Sequence, residues 1–139
     1  MAPKARTTGP PASLILDAGA IIDAATSRTR TLVVLKAARE EGAEVVVPAV
    51  VVAETVRGAG PRDARVNLIL RGVSEITPTT EDRARLAGAL LGAAQSDDTI
   101  DALVVAEAVG RGGGVILTGD PADLRRLAAG HPEVVIEAL

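Results

Sequence analysis

Four short aliphatic runs limit what this chain can fold into. LIL at Leu14–Leu16, VVV at Val45–Val47, VIL at Val115–Leu117 and VVI at Val134–Ile136 contain no polar residue. A strand with one wet face alternates apolar and polar residues. A strand that is apolar throughout is covered on both faces, as in a parallel sheet. Longer stretches with helical punctuation separate the runs, and this alternation predicts an α/β architecture. The expected strands are Ser13–Leu16, Glu44–Val47, Val73–Ile76, Val115–Leu117 and Val134–Glu137, a parallel sheet of four to five strands. The expected helices lie between them. One runs through Ala24, and the next ends before Gly42 after a polar break at Thr26–Thr31. A short one, Ala49–Arg57, opens on Pro48. Asp63–Leu70, Thr80–Ala94, Asp98–Val109 and Pro121–Ala129 complete the series.

The 139 residues suit one domain that buries about two-thirds of its unfolded surface. Residues 1–12, MAPKARTTGPPA, are expected to be a flexible tail, with the domain over 13–139. Lys4 and Arg6 are separated from the first apolar run by Gly9, Pro10 and Pro11, and Asp17 and Asp23 interrupt that run. An export signal would have neither feature. The longest apolar run, Val45–Ala53, falls well short of the roughly 20 residues that span a bilayer. The expectation is a cytoplasmic protein that does not enter a membrane.

Composition narrows the chemistry. Hydrophobic residues make up 47% of the chain, with no Phe, Tyr or Trp, so the core is built from Val, Leu, Ile and Ala. The same absence removes the stacking platforms on which single-strand nucleic-acid binders seat bases. An RNA or DNA partner would be held by its phosphates and sugars. There is no cysteine, which excludes disulfides, thiolate catalysis and cysteine zinc sites. The single histidine, His131, sits in a Gly-His-Pro turn, which argues against triad chemistry. Eighteen acidic residues outnumber 15 basic ones. Setting aside four acids for one site leaves 14 against 15, a nearly neutral surface, and 13 of the 15 bases are Arg, the better bidentate phosphate ligand.

Four acids stand where an α/β sheet gathers functional groups, beyond the carboxyl ends of its strands. Asp17 follows the first strand directly, and Asp120 follows Leu117 by three residues in TGDPADL. Glu54 lies on the helix opened by the second strand, within VVVPAVVVAETV. Asp101 lies on the helix leading into the fourth strand, within TIDALVVAEAV. Asp17 and Asp120 also suit helix caps. Glu54 and Asp101, by contrast, sit in stretches apolar enough to predict buried helices. Like charges brought together raise each other's pKa, and a divalent cation resolves that conflict. Oxygen-only ligands select one or two Mg²⁺ or Mn²⁺ ions rather than zinc. Such a site can activate water and stabilise a leaving oxygen on phosphorus.

The neighbouring residues have two readings each. Asp98, on the same helical face as Asp101, is an N-cap or a support to the site, and Asp123 is equally ambiguous. Arg57 is a surface salt bridge, a counter-charge to the acids or a contact to a scissile phosphate. Arg28 and Arg30 in TSRTR are loop charges or contacts to an RNA backbone. Asp23, in the same stretch as Asp17, is expected on the surface.

LILDAGAIIDA, VPAVVVAETVRG, DALVVAEAVGRGGGVILTGD and DPADLRRL, in that order, resemble the PIN domain, and within it the VapC-type toxins of bacterial toxin–antitoxin pairs. The likeness runs from about Leu14 to Leu127. It implies a three-layer α/β/α sandwich around the parallel sheet, and Mg²⁺-dependent endoribonuclease activity inhibited by a cognate antitoxin. By position, Asp17, Glu54, Asp101 and Asp120 correspond to the family's four acids, and Thr118 to the hydroxyl residue that helps hold the site. The Ala- and Leu-rich helix Arg83–Ala94 would supply the face of a homodimer. Two alternatives belong to other classes. Phosphoryl transfer through Asp17 lacks the Asp-x-Asp signature of haloacid-dehalogenase-like phosphatases, since position 19 is Gly. It also lacks a receiver-type lysine after a late strand, since the lysines are Lys4 and Lys36. A catalytically silent PIN-like interaction module would not need all four acids.

Overall fold

A computed structural model describes residues 13–26 and 29–139. The tail expected over residues 1–12 and the candidate Arg28 lie outside them. Five parallel strands form one sheet: β1 (Leu14–Leu16), β2 (Val45–Pro48), β3 (Glu75–Thr77), β4 (Gly114–Thr118) and β5 (Val134–Ala138), in spatial order β3-β2-β1-β4-β5. Between them run α1 (Ala18–Ala25), α2 (Thr29–Glu40), α3 (Ala49–Thr55), α4 (Gly60–Arg71), α5 (Glu81–Ala94), α6 (Thr99–Gly110) and α7 (Pro121–Leu127). The five strands, the parallel sheet and the α/β class agree with the sequence reading, and most element ends lie within a residue or two of it.

Local chemistry explains the boundaries. Thr80 caps α5 by accepting from the Arg83 amide at 3.2 Å, and Gln95 ends the helix in the left-handed region at φ 52. Pro48 precedes α3 with the extended backbone that a following helix tolerates. Pro61 sits in the first turn of α4 and Pro121 opens α7.

The central strand β1 is paired on both sides, Ile15 lying beside Val46 of β2 and Ile116 of β4. Its three residues are almost wholly buried, which is why the run has no polar member. From β1 the chain steps outward to β2 and β3, then crosses the sheet to β4 and steps outward the other way to β5. Right-handed crossovers therefore put α1, α2 and α4 on one face and α5, α6 and α7 on the other. The direction reverses between β1 and β4. A crevice opens at such a switch point, beyond the carboxyl ends of the strands.

Asp23 departs from its expected surface position. It is half-buried and accepts a hydrogen bond from Thr31 Oγ1 at 2.6 Å, which ties α1 to α2.

Candidate metal centre

The crevice between β1 and β4 starts with Asp17. Its carboxylate caps α1, accepting from the Ala20 amide at 2.9 Å through Oδ1, while Oδ2 accepts from the Thr118 hydroxyl. Thr118, at the end of β4 and fully buried, also accepts from the Asp120 amide at 2.8 Å. One hydroxyl thus links the acid after β1 to the acid after β4. The two connections touch through their backbones. A Cβ placed on Gly19 would lie 3.1 Å from Gly119 N and 3.2 Å from its Cα, closer than a side chain sits comfortably. Asp17 is 8% exposed. Burial pushes its carboxyl above the ordinary value, opposed by Thr118 and by the amides of Ala20, Gly119 and Gly19.

The second part of the crevice comes from α6 and α7. Asp98 caps α6, accepting from the Asp101 amide at 3.3 Å. Asp98, Asp101 and Asp123 each offer a carboxylate oxygen, and these oxygens lie within 4.8 Å of one another. All three side chains are half-buried. Desolvation, a hydrogen bond with Asp98 and the charges of Asp98, Asp120 and Asp17 push Asp101 up to about 7. Asp120, exposed at the rim, is raised by desolvation and by its contact with Asp123, with Asp98 adding to the effect. Glu54 is raised by desolvation and by the charges of Asp17 and Asp98, while the nearby Arg57 lowers it.

The structure joins Asp17, Thr118 and Asp120 by hydrogen bonds and brings Asp98, Asp101 and Asp123 together, whereas Glu54 and Arg57 are linked to them by charge alone. The expectation that Glu54 lies on a buried helix is corrected: α3 turns Val51 and Thr55 inward and leaves Glu54 exposed. An apolar run of that length read as buried because seven residues of helix suffice to put an acid on the open side. The contact between Gly19 and Gly119 was missed, although both glycines adjoin acids at strand ends, in DAG and TGD.

The donor set fits a hard divalent cation. It is made of carboxylate oxygens, it gathers acids that raise one another's pKa, and it contains no sulfur or imidazole. Arg57 Nη1 is turned to the carbonyls of Ala53 and Val56, at 3.0 and 2.9 Å, and Arg126 Nη1 stands 3.9 Å from Asp123.

A profile of the PIN domain matches residues 14–130, most of the chain, and the protein belongs to the PIN-domain family. Among solved structures it is similar to a chain of VapBC2 from Rickettsia felis bound to a DNA fragment from their promoter. The TM-score there is 0.72 at 14% identity, covering 91% of this chain and 98% of that one. It is also similar to a chain of a toxin–antitoxin complex from Klebsiella pneumoniae, with TM-score 0.66, 20% identity and coverage of 88% and 96%. FitAcB from Neisseria gonorrhoeae matches with TM-score 0.58, 17% identity and coverage of 88% and 95%. At such identities the likeness is one of fold. Curated protein sequences give no match.

Proposed function

We propose that this chain is a metal-dependent endoribonuclease and the toxin of a toxin–antitoxin pair. The observation that carries the reading is the convergence of Asp98, Asp101 and Asp123 beside Asp17 and Asp120 at the switch point of a PIN fold. Asp98, Asp101, Asp120 and Asp123 hold one side of a Mg²⁺ or Mn²⁺ site, and Asp17 and Glu54 hold the other. Such an ion, when bound, supplies Lewis-acid polarisation of the phosphodiester and a nucleophilic water at neutral pH. Thr118 and the Ala20 amide fix Asp17 so that its carboxylate does not reorganise during the reaction. The carboxylates orient a water for in-line attack on phosphorus. As the water oxygen bonds to phosphorus it gives up a proton to a carboxylate of the site, the bond from phosphorus to the 3′-oxygen breaks, and that oxygen takes up a proton from solvent.

Family membership and the toxin–antitoxin assemblies among the fold neighbours support an antitoxin partner, which in this reading covers the acidic crevice. No helix among the described residues is long and apolar enough to cross a membrane; the proposed site of action is cellular RNA in the cytoplasm. The exposed Gly88 and Gly92 on α5 leave room for a second helix and support a homodimer. Phosphoryl transfer through Asp17 is disfavoured, because both of its oxygens already accept hydrogen bonds in a buried position.

The test is to incubate the purified protein with mixed RNA and Mg²⁺ or Mn²⁺, beside an Asp17→Asn variant and an EDTA control. Metal-dependent cleavage that the variant lacks is expected. Without cleavage by the wild type in either metal, the nuclease reading falls. Growth arrest on induced expression, relieved by the product of a neighbouring small reading frame, tests the toxin role separately.

A further inference from the structure

The turn between α3 and α4 is built around one carboxylate. Asp63 is 4% exposed and accepts from three consecutive backbone amides: Arg57 at 3.0 and 3.1 Å, Gly58 at 2.8 Å and Ala59 at 3.2 Å. Arg62 Nη1 adds a fourth donor at 2.9 Å and also reaches the Thr55 carbonyl at 2.9 Å. Gly58 supplies the left-handed backbone that lets the amides converge, at φ 76. Amides folded onto one anion in this way form a nest. Burial opposes the ionised form of Asp63, but the donors outweigh it and hold the carboxyl below its ordinary value.

The residue this turn fixes is Arg57. Asp63 holds its backbone, and its Nη1 donates to the carbonyls of Ala53 and Val56. An exposed arginine ordinarily samples many rotamers, whereas this one is anchored at both ends. Arg57 follows the end of α3, which packs against α1 and α6, the helices that Asp17 and Asp98 cap, and its charge lowers Glu54. Both carbonyl contacts use Nη1, and Nε with Nη2 is the donor pair that a bidentate oxyanion contact takes. Arg126, across the crevice, is held more loosely, at 3.9 Å from Asp123 and 3.4 Å from the Ala94 carbonyl.

We propose that Arg57 is the phosphate contact of this crevice, gripping the backbone of single-stranded RNA, and that Asp63 is the residue that positions it. The inference rests on the RNA-binding part of the nuclease reading. It also explains how a chain without aromatic residues holds a strand against a cluster of acids, since phosphate contacts position a nucleic acid without reading its bases.

Binding of a fluorescein-labelled, randomised single-stranded RNA, followed by anisotropy in Ca²⁺ over a range of salt, tests this. Cleavage in Mn²⁺ is measured in parallel. Arg57→Ala is expected to weaken binding about tenfold and to reduce the slope of log affinity against log salt by about 0.7. Arg57→Lys keeps the slope and still binds several-fold more weakly. Asp63→Asn weakens binding, and the double variant binds no more weakly than Arg57→Ala alone, because Asp63 acts through Arg57. Arg71→Ala, at the far end of α4, binds as the wild type does. Wild-type binding by Arg57→Ala, with cleavage intact, overturns this inference alone. An RNA affinity that Arg57 controls, without cleavage in any metal, keeps the inference and removes the nuclease reading. A wild type that neither binds nor cuts removes both.

Discussion

The two ends of α6 each carry an acid, and the fold treats them differently. Glu107, near the last turn, is 5% exposed and meets Arg83 Nε at 2.7 Å and Arg111 Nη1 at 3.7 Å. Arg111 also reaches Glu44, Glu75 and the Ser13 hydroxyl, so it clamps the starts of three strands. Asp101, in the first turn, faces Asp98, Asp120 and Asp17. At the amino ends of the strands the chain neutralises its own acids. At the carboxyl ends it gathers acids with less internal counter-charge, the arrangement that the proposed cation would complete.

Substitutions that disturb one end and spare the other test this contrast. The largest effect is expected at Asp101. Asp101→Ala should lower metal-dependent cleavage by more than about 100-fold, beyond what loss of an outer support to a metal costs, with the melting temperature of the metal-free protein unchanged or raised. Initial rates and thermal melts in EDTA check both parts. Arg111→Ala should do the reverse. It should cost about 2 kcal/mol in urea unfolding, less than a fully broken buried pair because Arg83 remains, and leave Mn²⁺ affinity within about twofold. Thr118→Ala strips a donor from Asp17 and an acceptor from the Asp120 amide, and is expected to cost about 1–2 kcal/mol together with weaker metal binding. Thr118→Ser should restore both.

The smallest effect is a pH dependence of the metal-free protein. Asp101 is raised from 3.8 to about 7, so the native state keeps a proton that the unfolded chain releases. The penalty is absent below about pH 4 and complete above about pH 7. Stability therefore falls as pH rises through that window. Asp17, Glu54 and Asp120 act in the same direction. Melting in EDTA should be a few degrees higher at pH 5 than at pH 7.5, and Asp101→Asn should flatten the difference. Equal slopes in the two proteins would contradict the placement of Asp101 among like charges.

Asp101 and Glu107 also show how far the sequence could be read. Both sit in TIDALVVAEAV among apolar neighbours, and local pattern treats them alike. Only Arg111, one helical turn beyond Glu107, hinted at a different fate, and the partner Arg83 lies 24 residues away. Strand positions were legible because glycines, prolines and capping residues bound each aliphatic run. Strand order was not, because it depends on β1 pairing with β4 across about 100 residues of sequence, and the switch point follows from that pairing. Glu54 was misjudged because the composition of a short helix does not say which side faces out. Asp63 gave no signal, since three amides converging on it are a property of the turn's backbone.

The central claim is that the acids at the carboxyl ends of the strands form a cation site. The direct measurement is isothermal titration of Mn²⁺ into the metal-free protein and into the Asp101→Asn and Glu107→Gln variants. Saturable binding by the wild type and by Glu107→Gln is expected, with affinity at least about tenfold lower in Asp101→Asn. No saturable binding to the wild type, or equal affinity in Asp101→Asn, would contradict the account.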